Sequence, residues 1–231
     1  MCGICGFINS NKAEKQDQLG SNDLIQSMVD TLIHRGPDGQ GVKRIDNVFL
    51  GHTRLSIIDL NLHANQPFFN DNRGIYLTFN GEIYNYKKLR LKLISKGYQF
   101  KTASDTEVLL TSYEEWGINC IEKLEGMFAF ALYDQKEGIT HLVRDRLGKK
   151  PLFYSAYDGC VAFGSEIKSI LTHNEIDRNV DLQSLDDYLS LNYCIADKTL
   201  FNSIKQLMPG ERIEIDSGCN IKKIKYWDID Y

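Results

Sequence analysis

The sequence begins Met1-Cys2-Gly3-Ile4-Cys5-Gly6-Phe7-Ile8-Asn9, and this stretch decides the fold. Residues 2–8 are small or apolar, which predicts a short buried strand with Cys2 at its very start. Removal of Met1 would make Cys2 the N-terminal residue, so that its thiol and a free α-amine belong to one residue. Because that amine has a reference pKa of about 7.7–8.0, it can act as a base beside the thiol at neutral pH. The stretch therefore predicts a cysteine nucleophile that carries its own base.

Two other interpretations of these cysteines stay open at this point. Cys2 alone fits a small hydrophobic residue that packs at the start of a strand. Cys2-Gly3-Ile4-Cys5 also has the spacing of a redox or zinc motif, but a redox pair belongs at a strand-to-helix junction, and the other cysteines are too scattered to complete a zinc site. In a strand, Cys2 and Cys5 would point to opposite faces, which disfavours a shared site.

The composition is that of an ordinary globular protein. The chain has 231 residues, of which 42% are hydrophobic and 25% charged, enough for one large domain or two small ones. The net charge of −4 argues against general affinity for nucleic acid. The short basic run at 144–150 is interpreted as a solvated loop rather than a phosphate-binding patch. No apolar stretch suits a membrane span or a signal peptide, so we expect a cytoplasmic protein with free thiols.

Hydrophobic periodicity predicts strands and helices in blocks. Helices are predicted at 24–33 with a stop at Gly36-Pro37, at 86–96, from Ser104 to Gly117, at 166–171 and at 182–191. Strands are predicted at 2–8, 48–52, 55–60, 75–79, 127–133, 140–143, 151–157, 160–163, 212–215 and 221–227. Because the elements do not alternate strictly, we expect mainly antiparallel sheets flanked by helices, an α+β fold.

Three further motifs have ordinary structural explanations when each is taken alone. Asn80-Gly81 favours a tight hairpin turn, and Ser104-Asp105-Thr106-Glu107 fits a helix capping box. Arg54 fits a surface cation at the end of a strand. The five histidines are isolated and lack the spacing of a metal site, so no metal is predicted.

Taken together and in order, the motifs of nearly the whole chain resemble the class II glutamine amidotransferases. The matching stretches are Cys2-Gly3-Ile4-Cys5-Gly6, His34-Arg35-Gly36-Pro37-Asp38, Gly51-His52-Thr53-Arg54-Leu55-Ser56-Ile57-Ile58-Asp59, Asn80-Gly81-Glu82-Ile83-Tyr84-Asn85, Ser104-Asp105-Thr106-Glu107, Gly126-Met127-Phe128-Ala129-Phe130-Ala131, Arg144-Asp145-Arg146-Leu147-Gly148-Lys149-Lys150-Pro151-Leu152 and Ser165-Glu166-Ile167-Lys168. The Pro37-Asp38 pair favours the branch of glutamine-hydrolysing asparagine synthetases. Since a chance match of so many ordered motifs is improbable, the nucleophile interpretation of Cys2 is preferred.

The resemblance implies the N-terminal-nucleophile hydrolase fold, a four-layer αββα sandwich of antiparallel sheets. It implies that Cys2 attacks the side-chain amide of glutamine, and that the Asn80 side chain and the Gly81 N–H form the oxyanion hole. The residues that it assigns to the amino-acid end of glutamine are Arg54, Ile57, Ile58, Glu82 and Asp105. Among these, the Arg54 fork would bind the α-carboxylate, and the two acids would receive the α-ammonium.

The resemblance also implies a second, ATP-dependent synthetase domain, in cis or as a partner protein. Residues 2–218 are expected to form the amidotransferase domain and residues 219–231 the connection toward the absent domain. We expect no cofactor in this segment, and ATP and Mg²⁺ in the absent one. The expected ammonia acceptor is aspartate; the alternatives are another carboxylate such as a sugar acid of a surface polysaccharide, or a non-catalytic docking module of the same fold. The oligomeric state is open, and a homodimer is one arrangement.

Overall fold

The computed structural model describes residues 1–10 and 18–230. The helices are α1 (Gln18–Asp30), α2 (Tyr86–Ile94), α3 (Asp105–Trp116), α4 (Ile167–Ile170) and α5 (Leu182–Leu191). The strands are β1 (Gly3–Asn9), β2 (Gly39–Ile45), β3 (Val48–Arg54), β4 (Phe68–Asn70), β5 (Ile75–Ile83), β6 (Gly126–Asp134), β7 (Ile139–Arg144), β8 (Phe153–Tyr157), β9 (Cys160–Gly164), β10 (Ile204–Gln206), β11 (Glu211–Ile215) and β12 (Ile221–Lys225). Short 3₁₀ turns lie at Ile33–Arg35, Leu62–Ala64 and Gly117–Lys123.

These strands form two six-stranded sheets. Sheet A has the order β10-β8-β9-β1-β3-β2, and sheet B has the order β12-β11-β7-β6-β5-β4. Neighbouring strands in both sheets pair antiparallel. β1 therefore lies inside sheet A between β9 and β3, and Cys2 directly precedes its first residue. The boundary predicted at 218/219 stays a prediction, although β12 pairs with β11 inside sheet B; Tyr231 lies outside the described residues.

The period-two pattern of β1 shows how the layers form. Ile4 and Ile8 pack in the core between the two sheets, whereas Cys5 and Phe7 pack in a second core against α1 and α4. A third core joins the outer face of sheet B to α2 and α3. The largest buried side chains of these cores are Phe7, Phe128, Phe130, Phe163, Ile4, Ile8, Met28, Leu32, Leu50, Leu77, Ile83 and Leu93. The predicted α+β sandwich of antiparallel sheets between helices is confirmed, with four layers in the order αββα.

One local prediction is wrong and one alternative interpretation is excluded, for reasons that lie in tertiary contacts. Residues 55–60 form an irregular loop rather than a strand. The loop's carbonyl groups at Asp59 and Asn61 accept from the Arg54 guanidinium, so side chains replace the partner strand. Asn80-Gly81 lies inside β5 rather than in a hairpin turn, because β5 continues to pair with β6 as far as Ile83.

The elements that the sequence pattern missed are β2, β4 and β10. All three are edge strands, which have a single neighbour and therefore a weaker hydrophobic signal. The first helix also ends earlier than predicted, at Asp30, and a 3₁₀ turn at Ile33–Arg35 carries the chain to Gly36.

The basic run at 144–150 is not a solvated loop. The Arg144 side chain is buried and donates to the carbonyl oxygens of Lys150 at 2.8 Å, Leu207 at 2.6 Å and Gly148 at 2.6 Å. Lys150 is also buried, with only 5% of its surface exposed. These charges therefore organise a turn beside the end of β7, and the expectation of a fully hydrated segment was wrong.

Asp145 is the centre of this turn, and its loss is expected to destabilise the protein. Its buried carboxylate accepts the backbone N–H groups of Phe128, Leu147, Lys149 and Lys150 at 3.0–3.1 Å. Asp145→Ala would leave these donors without their partner, so we expect a loss of about 3 kcal/mol in the free energy of unfolding. Urea unfolding would measure it, with the exposed Asp186→Ala as a matched control expected within about 0.5 kcal/mol of wild type. Equal losses in the two variants would contradict this role.

Candidate active site

One cleft, at the open end of the space between the two sheets, brings together all the residues predicted to bind or catalyse. Its lining includes Cys2, Arg54, Ile57, Ile58, Asn80, Gly81, Glu82 and Asp105. The lining residues that were not predicted are Met1, Leu55, Ser56, Asp59, Ala64, Gln66, Phe79, Ser104, Thr106, Met127 and Lys150. Cys2 comes from sheet A and Asn80 from sheet B, so the cleft exists only because the two sheets pack face to face.

The Cys2 thiol lies against the backbone that follows β3. Its Sγ atom accepts the N–H of Leu55 at 3.4 Å and lies 3.6 Å from the Leu55 carbonyl oxygen. Burial raises the pKa of the Cys2 thiol, and the charge of Asp105 adds to this; the Leu55 N–H, the α-amine of Met1 and the charge of Arg54 act in the opposite direction. The thiol is therefore protonated at neutral pH and needs a base to become a nucleophile.

The backbone on either side of Cys2 is held rigidly. Its carbonyl oxygen accepts from Arg35 Nε at 3.0 Å, and the N–H of Gly3 donates to Thr53 Oγ1 at 3.1 Å. A Cβ atom at Gly3 would lie 2.6 Å from Thr53 Oγ1, which explains the glycine. Sequence reasoning missed these contacts because each partner lies in a distant part of the chain.

Arg35 is itself held by Glu166, which joins two of the motifs that carried the resemblance. Arg35 Nη1 lies 2.9 Å and His34 Nε2 2.8 Å from Glu166 Oε1, and Lys168 Nζ lies 3.2 Å from Glu166 Oε2. Although burial opposes it, hydrogen bonds from these side chains lower the pKa of Glu166 to about 2. The carboxylate is therefore ionised at neutral pH and neutralises the cation closest to the Cys2 carbonyl.

The Asn80 side chain points into the cleft and is left with an unused donor. Asn80 and Glu82 lie on the same face of β5 as Thr78, whose hydroxyl donates to the Gly51 carbonyl of sheet A. Asn80 is 1% exposed, and its Nδ2 atom is buried without a hydrogen-bond partner among the described residues. An unpaired buried amide is costly, so such a group is expected where a ligand completes the hydrogen bond.

The backbone N–H of Gly81 is a second donor for which the described part of the chain offers no partner. The N–H and C=O groups of Phe128, its register partner on β6, bond to Asp145, so Gly81 and Phe128 do not exchange hydrogen bonds. The Gly81 N–H therefore points away from β6, toward the side where β4 has already ended. On that same edge the side chain of Gln66 bonds both backbone groups of Phe79, and Asp105 accepts the N–H of Ile83. Gly81 lies between them and is open to the cleft.

The Arg54 guanidinium is buried, which corrects its interpretation as a surface cation. Nη1 donates to the Asn61 carbonyl at 3.0 Å and to Asn65 Oδ1 at 2.6 Å, and Nη2 donates to the Asp59 carbonyl. Among the described residues, the N–H of Nε and the second N–H of Nη2 have no partner. Nε and Nη2 flank one edge of the guanidinium, and donors on such an edge can bind both oxygens of a carboxylate.

Acidic side chains line the cleft near Arg54. Asp105 opens α3 directly after its N-cap Ser104, whose side chain accepts the N–H of Glu107 as the capping motif predicts. Burial raises the pKa of Asp105 to about 6; hydrogen bonds such as that from the Ile83 N–H act against this, and the charge of Glu82 adds to it. At neutral pH Asp105 is ionised, so this part of the cleft can attract a cation.

Ile57 and Ile58 lie on the loop that closes one wall of the cleft. Ile57 is 60% exposed and Ile58 is half-buried. The loop is tied down where the Ser56 N–H donates to Asp38 Oδ2 at 2.8 Å. Ile57 and Ile58 therefore line the same cleft as Arg54, but on an irregular loop rather than the strand that was predicted.

The backbone is similar to that of glutamine phosphoribosylpyrophosphate amidotransferase of Bacillus subtilis. The TM-score is 0.67 at 20% identity, covering 98% of this chain and 49% of that one. This likeness shows the fold, and the four-layer sandwich is that of the N-terminal-nucleophile hydrolases, as the resemblance implied.

Sequence comparison identifies the family to which the chain belongs within this fold. A family model described as a glutamine amidotransferase domain matches residues 1–227. Glutamine-hydrolysing asparagine synthetase 3 of Bacillus subtilis is 38% identical over 234 residues, covering 100% of this chain and 37% of the relative. Amidase chyE of Penicillium rubens is 33% identical over 237 residues, covering 100% of this chain and 34% of the relative. The chain therefore belongs to the glutamine amidotransferase domain family, and it spans a little over a third of the length of these relatives.

Three further findings concern the described residues. No helix there is long and apolar enough to cross a membrane. The six cysteines are free thiols. Within residues 1–10 and 18–230, no group of three or more His, Cys, Asp or Glu side chains is placed to hold a metal ion.

Proposed function

We propose that this chain is the glutaminase half of an asparagine synthetase-like enzyme, which hydrolyses L-glutamine to glutamate and ammonia in the cytoplasm. The observation that carries this proposal is the pair of unused donors, Asn80 Nδ2 and the Gly81 N–H, in the same cleft as the Cys2 thiol. Two neutral donors beside a thiol suit the negative oxygen that forms when a thiolate adds to an amide carbonyl.

The reaction follows from this arrangement once Met1 is removed. The Cys2 α-amine takes the thiol proton while Sγ bonds to the side-chain carbonyl carbon of glutamine, and the carbonyl oxygen becomes an oxyanion that Asn80 and Gly81 stabilise. The protonated amine then gives its proton to the departing nitrogen, which leaves as ammonia. Water attacks the resulting thioester, releases glutamate and restores the thiol.

The far end of the cleft suits the free amino-acid group of the substrate. The two unpaired N–H groups of Arg54 would bind the α-carboxylate, and Glu82 and Asp105 would bind the α-ammonium. The backbone groups of Ile57 and Ile58 would line the same subsite. A zwitterionic end group therefore finds both charges matched, which favours glutamine over a peptide amide.

The test is the release of glutamate and ammonia from L-glutamine by the purified chain, with its N-terminal mass measured. Activity in molecules that lack Met1, and none in molecules that retain it, is the expected result, because a peptide bond removes the basic amine. Equal activity in both forms would overturn the proposed base. Release from D-glutamine at a similar rate would contradict the zwitterion subsite.

Arg54→Lys is expected to raise the KM for glutamine by about 10–100-fold with a smaller change in kcat, because lysine keeps the charge but loses the planar fork. A substrate analogue with a carboxamide in place of the α-carboxylate provides the control. It should be poor for the wild type and no worse for the variant. If Arg54→Lys impaired both substrates by the same factor, Arg54 would not contact the carboxylate.

We propose aspartate, activated by ATP and Mg²⁺ in a synthetase domain outside this chain, as the acceptor of the ammonia. Residues 2–218 would form the glutaminase unit and residues 219–231 the connection toward that domain. In a second candidate, the ammonia reaches another carboxylate, such as a sugar acid of a surface polysaccharide. Ammonia transfer to aspartate by the glutaminase together with its synthetase domain, followed as asparagine formed, would decide between them.

A further inference from the structure

Lys150 is a buried cation without an anionic partner. It is 5% exposed and lines the cleft. Its Nζ atom donates to Met1 Sδ at 3.0 Å, and no carboxylate oxygen among the described residues lies within 4.0 Å of it. A thioether is a weak acceptor, and Met1 must leave before the proposed mechanism can operate. In the mature protein the ammonium group therefore loses the one acceptor that it has here.

The other charges around Cys2 are already accounted for. Arg35, in the 3₁₀ turn, forms an ion pair with Glu166. Arg54, at the end of β3, donates hydrogen bonds to the loop that follows this strand. Glu82 on β5 and Asp105 on α3 line the cleft and are assigned above to the substrate ammonium. Asp59 also lines the cleft, and its carboxylate accepts the N–H groups of Asn61 and Ala103. Asp145, in the same turn as Lys150, is saturated by backbone N–H groups. Lys150 is thus the cation of the cleft that no described contact explains.

We propose that Lys150 is a positioning residue for the nucleophile, and that its ammonium group, once Met1 is gone, favours the loss of the Cys2 thiol proton to the α-amine. The proposal rests on the proposed function, in which Cys2 is the nucleophile. A nearby positive charge stabilises a thiolate and disfavours a second ammonium at the Cys2 α-amine. The base and the thiolate would then both be available at lower pH than in an isolated N-terminal cysteine.

The burial of Lys150 determines which substitution can test its role. Burial lowers the pKa of Lys150, the charges of Glu82, Cys2 and Asp145 act to raise it, and the charge of Arg35 acts to lower it. A buried ammonium without an anion destabilises a fold, and methionine has a similar length without the charge. Lys150→Met is therefore expected to unfold at the same temperature as wild type or higher, which separates a functional defect from a structural one.

The test is the rate of Cys2 alkylation by iodoacetamide as a function of pH, in the Met1-free chain without glutamine, measured by mass spectrometry of the N-terminal peptide. Lys150→Met should move the midpoint upward by about one pH unit, so that Cys2 reacts about tenfold more slowly at pH 7. Lys150→Arg should keep the wild-type midpoint. The neighbouring Lys149→Met, which removes an exposed lysine from the same turn, should also leave it unchanged.

An unmoved midpoint in a folded Lys150→Met protein would overturn the proposal, and so would a shifted midpoint in Lys150→Arg. Lys150→Gln provides a second neutral variant, with the same expected shift, if the methionine variant does not fold. Because no glutamine is present, the binding of substrate by Asp105 and Glu82 does not affect the measured pH midpoint. Hydrolysis that persists in Cys2→Ala would refute the proposed function itself, whereas Cys2-dependent hydrolysis with an unmoved midpoint would refute only the role of Lys150.

Discussion

Cys2→Ala is expected to lower glutamine hydrolysis by at least ~10⁴-fold and to leave the unfolding temperature within a few degrees of wild type. The thiol lies in the cleft and contributes little to any core, so its removal costs little packing. No other thiol can replace it: Cys5 is fully buried against α1, and burial raises its pKa far above the ordinary value.

The measurement is the release of glutamate and ammonia at saturating glutamine, with far-ultraviolet circular dichroism to check the fold. Cys194→Ala is the matched control, since Cys194 is half-buried outside the cleft and should leave the rate unchanged. A folded Cys2→Ala protein that kept more than about one hundredth of the wild-type rate would rule out the thioester route.

Asn80→Ala has the second largest expected effect, a loss of about 10²–10³ in kcat with little change in KM. The donor would act on the oxyanion, which exists only after the thiolate has attacked, so substrate binding should be almost unaffected. The unfolding temperature should also change little, because the Asn80 Nδ2 group has no hydrogen-bond partner among residues 1–10 and 18–230 to lose.

Two variants sharpen this test. Asn80→Asp keeps the shape of the side chain but turns a carboxylate toward the developing negative charge, so it should be at least as slow as Asn80→Ala. Thr78→Val, on the same face of β5, removes the hydroxyl that bonds the Gly51 carbonyl. That control should cost about 1 kcal/mol of stability and leave kcat unchanged. A tenfold or larger rise in KM for Asn80→Ala with unchanged kcat would assign Asn80 to substrate binding instead.

The sequence pattern predicts the central part of this fold well and its periphery poorly. β1, β3, β5 and β6 lie inside the sheets and are buried on both faces, so their apolar runs are long enough to identify. β2 and β4 lie at the edges, where one side of the strand meets solvent or a loop, and their patterns are too weak or too short.

The candidate site also has a part that the sequence predicts and a part that it does not. The residues at motif positions, such as Cys2, Arg54 and Asn80, could be named from the sequence and do lie around one cleft. Their supporting contacts could not be predicted, because Asp145 and Glu166 act on backbone or side-chain groups that are distant in sequence. The amino-acid sequence of residues 144–150 does not indicate which charged side chains are buried. The burial of Lys150 could therefore be recognised only from the structure of the cleft.

The shortness of β4 has a consequence for how activity in such chains is judged. β4 begins only at Phe68, opposite Leu77, so the last six residues of β5 have no described strand beside them on that side. If β4 were extended by a few residues, a carbonyl oxygen of the new neighbour would occupy the Gly81 N–H, and half of the anion-binding pair would vanish. Such a chain would keep every side chain of the cleft and still be a poor catalyst. An inspection of the motif residues alone would classify such a chain as active. The length of the strand beside β5 is therefore also needed to judge whether a domain of this kind is active.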